Sequence, residues 1–146
     1  MRLRYLLDTS IVSNPVSKMP DRAILKCLDE HGPECAIAAP VWHELTYGCR
    51  RFPKGKRRRA IEAYLRDVVR RSFPNLPYDE AAATWHGEER ARLEALGKPA
   101  LFVDGQIAAV AQVHGLVLVT TNEAHFEGFK GLIVENWSKP VAGVKV

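Results

Sequence analysis

The segment Leu116-Val117-Leu118-Val119-Thr120 is a run of mostly branched apolar residues that follows Gly115. It predicts a short strand buried on both faces. Three other short runs, at 2–7, 35–39 and 131–135, are also apolar and lack the polar alternation of a half-exposed strand. Segments with helical spacing separate them. Short buried strands alternating with helices predict an α/β fold with a mainly parallel sheet.

Local signals place the helices between these strands. One helix is predicted from the capping residue Asp21 to Gly32, and Thr9 offers a helix start directly after the first strand. Further helices are predicted over 41–50, 56–71, 79–96 and 104–114. In the helix over 56–71 the inner face is predicted to carry Ile61, Leu65, Val68 and Val69.

Length and composition are those of one ordinary globular domain. The chain has 146 residues, of which 47% are hydrophobic and 26% charged. No apolar run approaches the roughly 18–20 residues of a membrane span, and the run that Asp8 interrupts is too short for a signal peptide. We therefore expect a single domain over 1–140, a C-terminal tail over 141–146, no membrane association and a cytoplasmic location.

Cysteine and histidine spacing argues against a thiolate or imidazole metal site. Cys27, Cys35 and Cys49 contain no C-x-x-C pair, which favours reduced, buried thiols. The five histidines lack H-x-x-x-H and H-E-x-x-H spacing. Any metal ion is therefore expected on oxygen ligands.

Charge is distributed unevenly. Residues 50–71, the basic block, hold ten Lys/Arg and two Asp/Glu, whereas the rest of the chain holds 11 and 15. This pattern suggests a polyanionic partner, with a solvated helix face as the alternative. Because its first cations flank a Pro-Lys-Gly turn instead of alternating with acids, we favour contact with nucleic-acid phosphates. The candidate contacts are Arg50, Arg51, Lys54, Lys56 and Arg57.

Four oxygen-bearing side chains follow or flank the predicted strand ends. Asp8 ends the first strand, Asn122 lies just past Thr120, Glu44 is about one turn into the helix after the second strand, and Asp104 opens another helix. Ligands of open parallel sheets bind beyond the carboxyl ends of the strands, so we expect these groups to converge there. Clustered carboxylates repel unless a cation lies between them, and hard oxygen ligands select Mg²⁺ or Mn²⁺. The chemistry implied is hydrolysis of a nucleic-acid backbone.

Three of the four candidates have a simpler structural alternative. Asp8 and Asp104 are also suited to capping helices, and Asn122 to forming a turn. Other residues are interpreted as a solvated helix face or as packing residues, namely Glu80, Glu88, Glu89, Glu94, Trp85 and His125.

Several other functions fit the residues less well. A receiver domain needs paired acids after its first strand and a lysine after its last, and a D-x-D phosphatase needs a second acid at position 10, where Ser10 stands. No Gly-Lys-Ser/Thr loop is present. A nucleic-acid-binding module with a degenerate, inactive site remains an alternative to the nuclease.

Four motifs resemble the successive motifs of PIN-domain ribonucleases, and most of all the VapC toxins of bacterial toxin–antitoxin pairs. They are Leu6-Leu-Asp-Thr-Ser10, Val41-Trp-His-Glu-Leu-Thr-Tyr-Gly48, Asp104-Gly-Gln-Ile-Ala-Ala109 and Val119-Thr-Thr-Asn-Glu-Ala-His-Phe126. The closing Gly131-Leu-Ile-Val-Glu-Asn-Trp137 is also similar to the last strand of that family. The resemblance covers nearly the whole chain.

The resemblance implies a single PIN-like domain with a parallel five-stranded sheet flanked by helices. It implies a Mg²⁺ or Mn²⁺ site and endonucleolytic cleavage of structured RNA, often tRNA or rRNA. Asp8 and Asp104 would ligate the metal, and Glu44 would complete the pocket as a ligand or by orienting a water.

The resemblance also implies roles at the edge of the pocket and a set of partners. Asn122, with Thr120 nearby, would hold either a metal-bound water or the scissile phosphate. Thr9 and Thr120 would both contact the substrate. The family forms homodimers. Its members are silenced by a small VapB-like antitoxin whose C-terminal segment enters the active-site groove.

Overall fold

A computed structural model describes residues 2–138 of the chain. The described residues contain a sheet in the order β3-β2-β1-β4-β5, and all of its strands are parallel. The strands are β1 (Tyr5–Leu7), β2 (Cys35–Ala38), β3 (Asn75–Leu76), β4 (Val117–Val119) and β5 (Val134–Glu135). The predicted parallel α/β fold is therefore confirmed, whereas the predicted tail over 141–146 lies outside the described residues.

Helices connect these strands. They are α1 (Thr9–Val12), α2 (Arg22–His31), α3 (Ala39–Arg51), α4 (Lys56–Tyr64), α5 (Arg70–Ser72), α6 (Glu80–Ala95) and α7 (Phe102–Val113), with a π-helical segment over Leu65–Val69 between α4 and α5. Short 3-10 turns cover Asn14–Val16, Gly32–Glu34 and Glu123–Phe126. Within residues 2–138, no helix has both the length and the apolar character needed to cross a bilayer.

Local capping chemistry explains the best-predicted helix ends. The Asp21 carboxylate accepts hydrogen bonds from the backbone amides of Ala23 at 2.8 Å and Ile24 at 3.2 Å. Asp79 caps α6 in the same way, and Gly97 follows it with a φ of 71°. These contacts satisfy backbone groups that a helix end leaves free, so short sequence signals suffice to predict them.

Some boundaries differ from the predictions. Helix α3 begins at Ala39 and includes Pro40, because a proline in the first turn interrupts no helical hydrogen bond. Helix α7 begins at Phe102, so Asp104 lies within its first turn. Strand β3 has only two residues, which is too short for a hydrophobic pattern to reveal it.

The π-helical segment overturns one core prediction. Ile61, Leu65 and Val69 are buried, as expected, but Val68 is exposed. A π turn contains more residues than an α turn. It therefore keeps Leu65 and Val69 on one face and rotates Val68 towards solvent.

The core is centred on β1 and its neighbours, whose side chains are almost completely buried. The backbone amide of Asp8 donates to the Val119 carbonyl at 2.9 Å and extends the β1–β4 pairing. The chain leaves β1 for β2 and β3 on one side and later returns to β4 on the other. Such a reversal opens a crevice at the carboxyl ends of the two central strands. Asp8 and Thr120 lie at this crevice.

Candidate active site

Asp8 directly follows β1 and is buried. It occupies the position before α1, yet its side chain makes no capping hydrogen bond. Its Oδ2 atom instead accepts from the Thr120 hydroxyl at 2.7 Å and, more weakly, from Ser10 Oγ at 3.4 Å. The interpretation of Asp8 as a plain helix cap is therefore wrong.

Hydroxyl groups from two chain segments fix this carboxylate. The Thr120 hydroxyl also accepts from the Asn122 backbone amide at 3.0 Å, and Ser10 Oγ accepts from the Thr121 amide at 3.1 Å. Because Thr120 is fully buried, its hydroxyl orients Asp8 and does not face a substrate. The sequence prediction omitted Ser10, although its place two residues after a strand-end acid is a usable signal.

Glu44 comes to the same place from α3 and is half-buried. Its Oε1 atom accepts a hydrogen bond from the Thr9 hydroxyl at 2.7 Å. Thr9 thus orients the second carboxylate, and its expected contact with a substrate stays a prediction.

Asp104 is contributed by the first turn of α7. Leu101 occupies the capping position of this helix, so the interpretation of Asp104 as an N-cap is wrong. The side chain is 16% exposed, and within residues 2–138 its buried Oδ2 atom has no hydrogen-bond partner. The Nδ1 atom of His125 lies 3.4 Å from that oxygen and forms an ion pair with it only when the imidazole is protonated.

The three carboxylates interact electrostatically. Burial raises the pKa of Asp104 to about 6, and the negative charges of Asp8 and Glu44 add to this increase while His125 opposes it. A buried acid beside two like charges is held ionised only at a cost. The structure therefore brings Asp8, Glu44 and Asp104 together at the end of the central strands.

His125 belongs to this group as well. Its interpretation as a packing residue is wrong, since its side chain is 50% exposed and faces Asp104. Trp85 does pack as expected, with its ring centroid 5.9 Å from that of Phe129. No short pattern marks His125, because its contact with Asp104 joins residues 21 positions apart.

Asn122 is placed beside the site through its backbone. Asn122 precedes the 3-10 turn that carries His125, and its backbone N–H donates to the Thr120 hydroxyl. Its side chain is exposed. Within the described part of the chain, the Asn122 side chain makes no hydrogen bond. Among the described residues, therefore, no hydrogen bond connects the side-chain amide of Asn122 to the three carboxylates.

Glu89 differs from the other glutamates of α6. Glu80, Glu88 and Glu94 are exposed as predicted, but Glu89 is buried and pairs with Arg92 through two contacts of 2.8 Å. It also accepts from the Lys130 amide at 2.8 Å. Hydrogen bonding to Arg92 is the main cause that lowers the pKa of Glu89. Its interpretation as part of a solvated face is wrong.

The basic block reaches the site through two of its predicted residues. Arg51 and Arg57 line a cleft of about 260 Å³ together with Thr9 and Glu44. Arg57 also donates to the Val16 carbonyl at 3.0 Å. The other three candidates, Arg50, Lys54 and Lys56, are exposed outside this cleft.

The carboxylates suit a divalent cation without forming a ready-made cage. Among residues 2–138, no three His, Cys, Asp or Glu side chains are already arranged to hold one ion. The unpartnered, buried Oδ2 of Asp104 and the raised pKa of this group nevertheless fit a cation, which would supply the missing partner. The donor set is oxygen-rich, as Mg²⁺ and Mn²⁺ prefer.

Comparison with known proteins agrees with this geometry. The family model described as "PIN domain" matches residues 5–132. The tRNA(fMet)-specific endonuclease VapC of Shigella flexneri is 34% identical over 137 residues, covering 93% of this chain and 99% of the relative.

Two solved structures have the same fold as this chain. The FitAcB structure from Neisseria gonorrhoeae superposes with a TM-score of 0.84 and 28% identity, covering 91% of this chain and 97% of the other. DNA-bound VapBC from Salmonella typhimurium gives a TM-score of 0.78 and 28% identity, covering 92% and 98%.

Proposed function

The chain belongs to the PIN-domain family, and on that premise we propose that it is a metal-dependent endoribonuclease acting as the toxin of a toxin–antitoxin pair. The observation that carries this proposal is the electrostatic interaction of Asp104 with Asp8 and Glu44 at the crevice beyond the central strands. A structural role does not account for it, because burial beside two like charges makes the ionised form of Asp104 costly in the metal-free fold.

Asp8 and Asp104 would hold a Mg²⁺ or Mn²⁺ ion, and Glu44 would complete the acidic pocket. When bound, such an ion activates a water and offsets the charge that develops on a phosphodiester. The chain's own hydroxyls keep the ligands in place. Thr120 and Ser10 fix Asp8, and Thr9 fixes Glu44. His125 lies beside Asp104, with its Nδ1 atom 3.4 Å from Oδ2 of that carboxylate.

Arg51 and Arg57 support an RNA substrate, because they place two cations in the cleft that Glu44 also lines. Phosphate contacts of this kind hold a nucleic-acid backbone without reading its sequence. We propose tRNA or rRNA as the target, since a relative with 34% identity is named a tRNA-specific endonuclease. Asn122 is proposed to contact the scissile phosphate after its exposed side chain turns towards the acids.

The proposed regulator is a small VapB-like antitoxin. Support comes from a solved relative that is a VapBC complex. The toxin itself is proposed to form a homodimer and to act in the cytoplasm, where its RNA substrates are.

The decisive experiment compares cleavage of total tRNA and rRNA by the wild type and by Asp8→Asn. The wild type should produce discrete new RNA ends in Mg²⁺ or Mn²⁺ and none in EDTA. Asp8→Asn should lower the rate at least a hundredfold and retain RNA binding. The matched control, Asp29→Asn, changes an exposed aspartate on α2 and should cleave normally.

Two results would reject the proposal. A wild type that cleaves no RNA with either ion but binds it would favour the nucleic-acid-binding alternative. Equal cleavage by Asp8→Asn would remove the acidic site from the reaction.

A further inference from the structure

A second cleft opens beside Asp104, separate from the cleft that Arg51 and Arg57 line. Its volume is about 620 Å³. Its walls come from the loop between α6 and α7 and from the turn after Asn122. The residues that matter here are Lys98, Leu101, Asp104, His125 and Glu127.

The surface of this cleft offers apolar and ring contacts next to the acids. Leu101 is 64% exposed, and the His125 side chain is 50% exposed. Neither contributes much burial to the core. Exposed rings and apolar side chains are the surfaces on which proteins stack unpaired bases.

The two walls of the cleft carry charges of opposite sign. Lys98 supplies a cation for a phosphate, whereas the exposed Glu127 repels one. A carboxylate such as Glu127 accepts hydrogen bonds from the amino group of a base. The base is therefore expected on the Glu127 side and the phosphate near Lys98.

The walls are held in place by contacts with α6. Arg92 donates to the Gly128 carbonyl at 2.8 Å, and the Lys130 amide donates to Glu89 at 2.8 Å. On the other wall, the Lys98 amide donates to the Leu93 carbonyl at 2.9 Å. The cleft is thus preformed, which reduces the entropy lost when a ligand binds.

Building on the proposed nuclease function, we propose that this cleft binds the base of one unpaired nucleotide adjoining the scissile phosphate. Leu101 and His125 contact the base, and Lys98 contacts a neighbouring phosphate. Asp104 lines the cleft and interacts electrostatically with Asp8 and Glu44, so the cleft adjoins the acids. We therefore expect a strand bound at the acids to continue into it. A base held in a duplex cannot enter, so the site selects single-stranded or looped RNA.

The test measures binding in an Asp8→Asn background, so that no probe is cleaved. The probes are a fluorescein-labelled 12-nucleotide RNA of random sequence, the same length of abasic ribose-phosphate backbone, and a 12-base-pair RNA duplex. Leu101→Ser should weaken binding of the single-stranded RNA by about tenfold and leave the abasic and duplex probes unchanged. Lys98→Gln should weaken the RNA and abasic single strands alike.

Two variants serve as matched controls. Leu96→Ser changes a leucine that is 59% exposed but does not line the cleft. Lys26→Gln removes an exposed cation on α2. Both should bind every probe as the background protein does.

The inference is overturned if Leu101→Ser weakens binding of the RNA and abasic probes equally, or if it weakens binding of neither probe. This result is separable from failure of the nuclease proposal. Normal tRNA or rRNA cleavage by the wild type with unchanged binding by Leu101→Ser refutes only the cleft. Base-dependent binding by a protein that cleaves no RNA refutes only the nuclease.

Discussion

At the residue scale, Asp104 has the most perturbed environment of the three acids. Its Oδ2 atom is buried without a hydrogen bond, and this burial, together with the charges of Asp8 and Glu44, raises the pKa of Asp104 to about 6. An unfolded aspartate titrates near pH 4. Between these values the folded chain binds more protons than the unfolded chain, so its stability should fall as the pH rises from about 4 to about 6.

Replacing this charge should therefore stabilise the metal-free protein. In EDTA at pH 7.5, we expect Asp104→Asn to raise the free energy of unfolding by on the order of 1–2 kcal/mol. The gain should shrink at pH 5, where the wild-type carboxyl is largely protonated. Urea unfolding at both pH values measures this, with Asp29→Asn as the exposed control. A variant less stable than the wild type at pH 7.5 would contradict the electrostatic explanation.

A bound ion should reverse that order. A ligand that binds only the folded state stabilises it by mass action, and the Mg²⁺ or Mn²⁺ site proposed here uses the Asp104 oxygens. Saturating metal should therefore raise the melting temperature of the wild type more than that of Asp104→Asn. Equal shifts would place the ion elsewhere.

At the element scale, the packing of α7 against α6 depends on a glycine next to the site. A Cβ atom at Gly105 would lie 2.2 Å from Nε2 of His86. His86 is buried, and its Nδ1 lies 2.8 Å from the Tyr78 hydroxyl, so its ring cannot easily move away. Because Gly105 directly follows Asp104, this close approach of α6 and α7 lies next to the site.

Two glycine-to-alanine variants should have opposite effects. Gly105→Ala should lower the free energy of unfolding by about 2 kcal/mol or more, because the added methyl group overpacks the contact. Gly87→Ala, in α6 with open space around it, should raise that energy by roughly 0.5–1 kcal/mol through helix propensity. Chemical unfolding of both variants decides the matter. If Gly105→Ala raised the free energy of unfolding instead, the His86 ring would have to be able to move away from the added methyl group.

The Glu89–Arg92 pair connects α6 to Gly128 and Lys130, in the segment that follows the turn carrying His125. Glu89→Gln should cost about 2–3 kcal/mol, since it places an amide donor against Arg92 or the Lys130 amide. Because the pKa of Glu89 is lowered in the folded state, this contribution is present above about pH 4 and is lost as the pH falls further. Unfolding measurements at pH 7 and pH 3.5 test both statements. Glu88→Gln, an exposed neighbour, should change little.

At the scale of the whole molecule, two arginines of the basic block share a cleft with one of the three acids. Arg51 and Arg57 lie in the cleft with Glu44, while Arg59 of the same block is exposed outside it. Position, and not net charge alone, should therefore decide which arginines contact RNA.

Salt dependence of RNA binding measures this difference. The double variant Arg51→Gln/Arg57→Gln should bind a single-stranded RNA more weakly, and its log–log slope of affinity against salt should fall by roughly 1.4. Arg59→Gln should change the slope much less. Equal effects per arginine would mean that the block acts only as a diffuse charge.

The sequence by itself determined the features that depend on neighbouring residues. Caps such as Asp21 and Asp79 satisfy adjacent backbone groups, and the buried strands have a local hydrophobic pattern. The strand-end position of Asp8 follows from the same pattern. Parallel topology then makes the convergence of strand ends a general consequence of the fold.

Only the tertiary structure decided which side chains meet. The burial of Glu89, the contact of His125 with Asp104, and the assignment of the Thr9 and Thr120 hydroxyls to Glu44 and Asp8 all join distant segments. Burial and hydrogen bonding of a polar group depend on whatever the fold places against it, and no short-range pattern encodes that neighbour. The acids were therefore predictable as a group, whereas the residues that position them were not.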